Sequence, residues 1–334
     1  SDLLRTFGAP FALGAETAYM SACVGISVFP EDGASAEVLL KQADQAVHAA
    51  KTLGRGRWQF FTPAMQDAAL SRAHVARDLR LALERGELHL HYQPIVDLPT
   101  GRVNKAEALL RWQHPERGWV SPATFIPVAE ETGLMQAIGD WVFETTAAQA
   151  ARWRQTLDPH FCISLNTSPV QFRQEPMAMA ERWLAHLQAQ GVSGESLVIE
   201  ITEGVLMDAS SHTHELLARF GAAGIGVALD DFGTGYSSLA YLQRFPVHFL
   251  KIDQAFVRPL APGSRDLALC EAIIAMAHKL GLRVVAEGIE TAQHAELLRA
   301  AGCDFGQGFL YAPALAPEAF EQWVHTGRSA PATG

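Results

Sequence analysis

From about residue 87 onward, short apolar runs alternate with amphipathic stretches of helical length, which confines the chain to an α/β architecture built on a mostly parallel sheet. The runs are 88–95, 103–111, 161–166, 197–202, 225–230, 248–252, 283–287 and 304–309. Eight strands in about 240 residues predict a TIM-type (β/α)8 barrel, which usually takes ~250 residues. The first two runs, LHLHYQPIV and VNKAEALLRW, are joined only by DLPTGR. So short a link suits an antiparallel pair and not a helical crossover, so one strand is expected to run against the others.

Upstream, SACVGISVF (21–29) is β-rich. Residues 36–52 have helical spacing, with Val38, Leu39, Ala43, Ala46 and Val47 on one side, and RWQFF (57–61) suits a last strand. This is a partial α+β segment. Thr62-Pro63 is a helix start, a capping hydroxyl before proline at the first helical position. One helix is expected over 64–85, ending at Gly86. The expected division is 1–62 as the partial segment, 63–86 as a linker helix, 87–327 as the barrel and 328–334 as a flexible tail.

Polar residues stand in or at the ends of these runs where an apolar core would not choose them. They are Glu107, Asn166, Glu200, the pair Asp230-Asp231, Lys251, Glu287 and Gln307. In a barrel the C-terminal strand ends converge on one mouth. Any one of them is as readily an isolated salt bridge or cap; the whole set is hard to explain that way. Five carboxylates in one small volume repel, so either several are protonated or cations hold them. One lysine cannot balance five carboxylates, but two divalent ions can. Oxygen donors without cysteine or histidine point to Mg²⁺ or Mn²⁺, two per site, and not to zinc. Two such ions are a common device for phosphoester hydrolysis. Arg111, four residues after Glu107 on the same strand face, is placed to clamp a phosphate, and Lys251 to hold water or a phosphate oxygen.

The net charge of −10 argues against a partner that is a nucleic-acid polymer and against a membrane-surface role. No apolar run reaches the ~18 residues of a membrane helix. The four cysteines, Cys23, Cys162, Cys270 and Cys303, include no C-x-x-C pair and read as free thiols in a reducing, cytoplasmic setting. The chain opens without methionine in what reads as mid-domain, so upstream regulatory domains are expected elsewhere, in a segment with room for a membrane anchor.

These residues, in this order, resemble the EAL family of cyclic-di-GMP phosphodiesterases from about residue 87 to 326. The carriers are YQPIVDL (92–98), EALLR (107–111), FIPVAEETG (125–133), SLNTSPVQF (164–172), EITE (200–203), DDFGTGYSSL (230–239), LKID (250–253), AEGIET (286–291) and GQGF (306–309). The resemblance implies hydrolysis of cyclic-di-GMP to linear 5'-pGpG. It implies metal ligands at Glu107, Asn166, Glu200 and Asp230, with Asp230 bridging, and a second metal's side at Asp231 and Glu287. It gives Glu287 a second role as general base; a metal-bound carboxylate is a poor base, so ligation is favoured, with Lys251 and Asp231 helping to take the proton. Gln93, Leu109, Arg111 and Gln307 match substrate or site contacts. The segment after Asp231, with Gly233 and Gly235, resembles a loop that couples the site to a homodimer through the barrel. Glu203 matches the acid that anchors this loop, although plain helix capping explains it equally well. VGISVFPEDG (24–33), LLKQADQAVHAAK (39–51) and GRGRWQFF (54–61) resemble the C-terminal part of a GGDEF (diguanylate cyclase-like) domain, without that domain's signature loop.

Two other readings stay open. One is a receptor that binds cyclic-di-GMP without cutting it; the other is a different metal-dependent barrel enzyme of enolase type. His89 and His91 share a strand face with no carboxylate nearby in sequence, so packing is expected there. His212 and His214 are expected to be solvated ahead of a helix, and Lys279 and Arg283 to be ordinary surface charges.

Overall fold

Short paired strands beside one long helix make up the N-terminal part of the chain in the computed structural model, which describes residues 2–8, 10–14, 16–54, 56–207, 211–233 and 244–326. Strands β1 (Phe11–Leu13) and β2 (Glu16–Ala18) pair antiparallel; β3 (Val24–Ile26) and β4 (Trp58–Phe60) pair parallel. The expected amphipathic helix forms over Ala36–Thr52, and Ser35 caps its start by accepting from Val38 N. Gly25 lets β3 meet this helix, since a Cβ there would lie 1.9 Å from Ala43 O. The helix Pro63–Ala82 stops short of the expected residue 85. Glu87 N returns to Ala82 O and Gly86 takes φ 65°, a left-handed end that residues 83–86 build as a turn. The chain divides into two compact units, Ser1–Arg80 and Leu81–Gly334.

The second unit is a closed barrel. Its strands are β5 (Leu88–Asp97), β6 (Val103–His114), β7 (Gly118–Val120), β8 (Cys162–Asn166), β9 (Leu197–Thr202), β10 (Gly226–Phe232), β11 (Phe249–Ile252), β12 (Arg283–Ala286) and β13 (Phe305–Gly306). The order is β5-β13-β12-β11-β10-β9-β8-β6, and the β5–β6 pairing closes the ring. β5 runs antiparallel to both neighbours, as the short DLPTGR link requires, while the other ring pairings are parallel. β7 hangs on β6 as a short hairpin.

β8, β9 and β11 are buried almost throughout, as parallel strands covered on both faces must be. Inside the barrel, Ile95, Cys162, Val198, Ala228, Phe249, Val285 and Phe305 form one apolar layer. Outside it, Trp153 stacks on Phe320 at 4.5 Å and meets Tyr92 edge-on at 4.7 Å, which seats the helices Met135–Thr156 and Pro317–Thr326 against β5. Each such aromatic contributes roughly 1.5–3 kcal/mol on burial. His212 and His214 lie inside the helix Ser211–Ala222 and not ahead of it; its apolar face, Leu216, Leu217 and Phe220, is spaced helically around them. The expected tail, 328–334, lies outside the described residues. No described helix is long and apolar enough to cross a membrane.

Candidate active site

Side chains alternate along a strand, so Glu107, Leu109 and Arg111 share one face of β6. Glu200, Asp230 and Lys251 come from β9, β10 and β11; Asn166 ends β8; Glu287 and Gln307 directly follow β12 and β13. Glu107 does not end its strand: β6 runs on to His114 before turning into β7, because this hairpin rises past the ring.

Lys251 is the hub. It is 1% exposed, and its Nζ lies 2.6 Å from Glu200 Oε2, 2.6 Å from Glu287 Oε1, 3.2 Å from Asp230 Oδ1 and 3.5 Å from Glu107 Oε2. Glu107 is gripped from two more sides. Asn166 Nδ2 donates to its Oε1 at 2.7 Å, and Gln307 Nε2 to its Oε2 at 2.6 Å. Gln307 Nε2 also lies 3.0 Å from Gln93 Oε1, and Gln93 Nε2 donates to Ala312 O at 3.1 Å. Gln93 therefore orients Gln307.

The charges do not balance. Burial pulls the Lys251 ammonium down, but the four surrounding carboxylates hold it well above the usual lysine range. Burial pushes Glu107 up, and Lys251 with the Gln307 and Asn166 hydrogen bonds outweighs it, so this carboxyl sits below its ordinary value. Burial and repulsion from Glu107 carry Glu200 well above its ordinary value. Burial pushes Glu287 up to about 7 and, with Asp230 beside it, Asp231 up to about 6. One buried cation thus faces more negative charge than it can neutralise.

Asp231 stands apart from the Lys251 ring, in the left-handed region at φ 54°, and interacts with Asp253. Asp253 was missed in the sequence; it caps the helix Gln254–Val257 through Ala255 N, and its place two residues after Lys251 was the available signal. Glu203 Oε1 accepts from Gly233 N at 2.9 Å, tying the end of β9 to the segment after β10. Gly235 lies outside the described residues. Arg111 Nη1 donates to Leu110 O at 2.9 Å, and Leu109 is half-buried beside it. His89 and His91 pack edge-on against Trp119, with ring centroids 5.9 and 5.4 Å away.

Among the described residues, no three His, Cys, Asp or Glu side chains stand ready around an ion position, because the acids close on Lys251 instead. The donor set still fits hard cations. It is all oxygen and overcharged, Asn166 Oδ1 is not used in the bond to Glu107, and Gln307 Oε1 is buried with no partner.

Residues 76–314 match the EAL domain family, and residues 1–57 the diguanylate cyclase, GGDEF domain family. The chain is 39% identical over 308 residues to the bifunctional diguanylate cyclase/cyclic di-GMP phosphodiesterase MucR of Pseudomonas aeruginosa, covering 92% of this chain and 45% of MucR. It is 37% identical over 323 residues to the cyclic di-GMP phosphodiesterase PdeR of Escherichia coli K12, covering 97% of this chain and 48% of PdeR. It thus spans less than half the length of either. A solved structure described as the PaMucR phosphodiesterase, c-di-GMP complex, superposes with a TM-score of 0.70 at 40% identity, over 74% of this chain and 99% of that one.

Proposed function

This chain belongs to the EAL-domain family, and on that premise we propose that its barrel hydrolyses one phosphodiester of cyclic-di-GMP to give linear 5'-pGpG. The ring of four carboxylates around buried Lys251 carries the reading, because it is an overcharged oxygen site at a barrel mouth. Glu107, Asn166, Glu200, Asp230, Asp231 and Glu287 would hold two divalent ions, Mg²⁺ or Mn²⁺. Bound there, such ions would lower the pKa of a water and offset charge on the attacking and leaving oxygens.

The chain's own residues do the rest. Asn166 and Gln307 fix both oxygens of Glu107. Lys251 holds Glu200 and Glu287 in place, and Glu287, bonded through Oε1, keeps Oε2 for an ion or a proton. Arg111 has spent Nη1 on Leu110 O and offers the rest of its fork to a substrate phosphate. Gln93 acts through Gln307, while Leu109 supplies an apolar edge. The Glu203–Gly233 contact is the natural relay from the mouth to a homodimer through the barrel. Domains outside this chain, which is under half the length of MucR and PdeR, would regulate it; its free cysteines suit the reducing cytoplasm.

The test is incubation of the protein with cyclic-di-GMP and Mn²⁺ or Mg²⁺, with products separated by chromatography. Linear dinucleotide should form, vanish with EDTA, and fall by more than about 100-fold in Glu107→Ala, since even outer partners of a metal site are worth 10–100-fold. Turnover in excess chelator would remove the metal from the reading; tight binding without turnover would make the protein a receptor.

A further inference from the structure

We infer that the N-terminal end of the barrel, opposite the acidic mouth, is a binding site for a compact oxyanion of the phosphate class, held between Lys105 and Arg283. Here Phe249 and Phe305 meet with ring centroids 6.2 Å apart and form a floor. Lys105 Nζ lies 4.9 and 5.3 Å from the two centroids, and Arg283 Cζ lies 4.6 and 5.5 Å from the same two. Arg283 is therefore more than a surface charge.

The rings account for one cation, since an aromatic face attracts a positive charge. They do not account for two, which repel each other across a shared floor. Among the described residues neither cation is in a salt bridge, and the acids at this end, of which Asp97 and Glu195 line the same cavity, are each bonded to another group. Asp97 Oδ1 accepts from Thr100 N at 2.8 Å and from its hydroxyl at 2.6 Å, and attracts Lys105 only at longer range. Glu195 Oε2 lies 3.8 Å from Arg154. Asp304 Oδ2 lies 2.8 Å from His278 Nε2 and accepts from Val284 N at 2.8 Å.

A cavity of about 370 Å³ opens beside this pair, and Asn104, Arg154 and His248 join Lys105 and Arg283 in lining it. Asn104 Oδ1 is buried with no partner; with the amide turned over, that end would present an N–H to an anion. Phe249 and Phe305 are both buried and offer no open face on which a nucleobase would stack, so the ligand is a free anion. The site is separate from the mouth: Arg283 opens β12 and Glu287 follows its end, roughly 13 Å along at the rise of a strand. At this end of a barrel the expected effect is on stability and not on chemistry.

The experiment is calorimetric titration of the EDTA-treated protein with inorganic phosphate, with chloride at matched ionic strength as control and a thermal melt alongside. The acidic mouth, stripped of metal, repels phosphate, so a signal reports the other end. One phosphate per chain should bind and raise the melting temperature. Lys105→Met and Arg283→Gln should each weaken binding at least about tenfold, the worth of one charge-assisted contact. Arg283 is exposed, so its variant decides if Lys105→Met does not fold. A phosphate response no larger than chloride, or one unchanged in Arg283→Gln, would overturn the inference. So would AMP binding tighter than phosphate, because the cavity would then be accepting a base.

Discussion

At the scale of single residues, the site is organised by Lys251 more than by any acid. Removing it leaves four carboxylates facing one another with no buried cation, and an uncompensated buried charge costs about 3–5 kcal/mol. Lys251→Met, followed by urea unfolding in EDTA, should show a loss of that order at pH 8. The loss should shrink at pH 5, where Glu200 and Glu287 take up protons and repulsion falls. An equal loss at both pH values would mean that Lys251 matters for packing and not for charge. The acids and the lysine were legible in the sequence because each interrupts an apolar strand. Their arrangement was not, because strand parity says which face a side chain takes and not which distant side chain it meets. The same limit hid Asp253, whose pairing with Asp231 depends on the left-handed backbone at Asp231. It also hid Arg283, whose contacts with Phe249 and Phe305 join residues of three strand segments.

At the scale of elements, the strands were readable from apolar runs and the antiparallel pair from a six-residue link, DLPTGR. Barrel closure by β5 against β13 was implied only by the strand count, since the two lie at opposite ends of the unit. The segment after β10 is where an element and the site join. Gly233 takes φ 97°, and a Cβ there would lie 2.8 Å from Phe256 Cε2, so alanine is strained twice. The strain is worth about 1–3 kcal/mol, and it would shift the N–H that Glu203 receives. Gly233→Ala should lower kcat about tenfold, while the melting temperature falls by about 2–4 °C for each kcal/mol of that strain. Glu203→Gln keeps an acceptor oxygen and should be milder than Glu203→Leu in the same assay. Full turnover in both Gly233→Ala and Glu203→Leu would cut this contact out of the mechanism.

At the scale of the whole molecule, folding places a surplus of negative charge at one end of the barrel, and stability must then depend on pH and on cations. Unfolded, a glutamate titrates near about 4.3. Folded and free of metal, Glu287 titrates at about 7, Asp231 at about 6 and Glu200 well above its ordinary value. Between these limits the folded state binds more protons than the unfolded chain, so raising the pH favours unfolding. The contribution of these groups is complete below about pH 4 and is lost as the pH climbs through 6 and 7. Glu107 has the opposite sign: it is held below its ordinary value, so its contribution appears above that value and is lost in acid. The EDTA-treated protein should therefore melt at a lower temperature at pH 8 than at pH 5.5, by on the order of 5 °C. On the proposed reading, divalent cations would bind the ionised carboxylates of the folded state only, so saturating Mg²⁺ or Mn²⁺ should raise the melting temperature more at pH 8 than at pH 5.5 and flatten the profile. A metal-free profile that rises across this interval would show the acids to be balanced within the fold, and a cation effect independent of pH would place the ions somewhere other than among them.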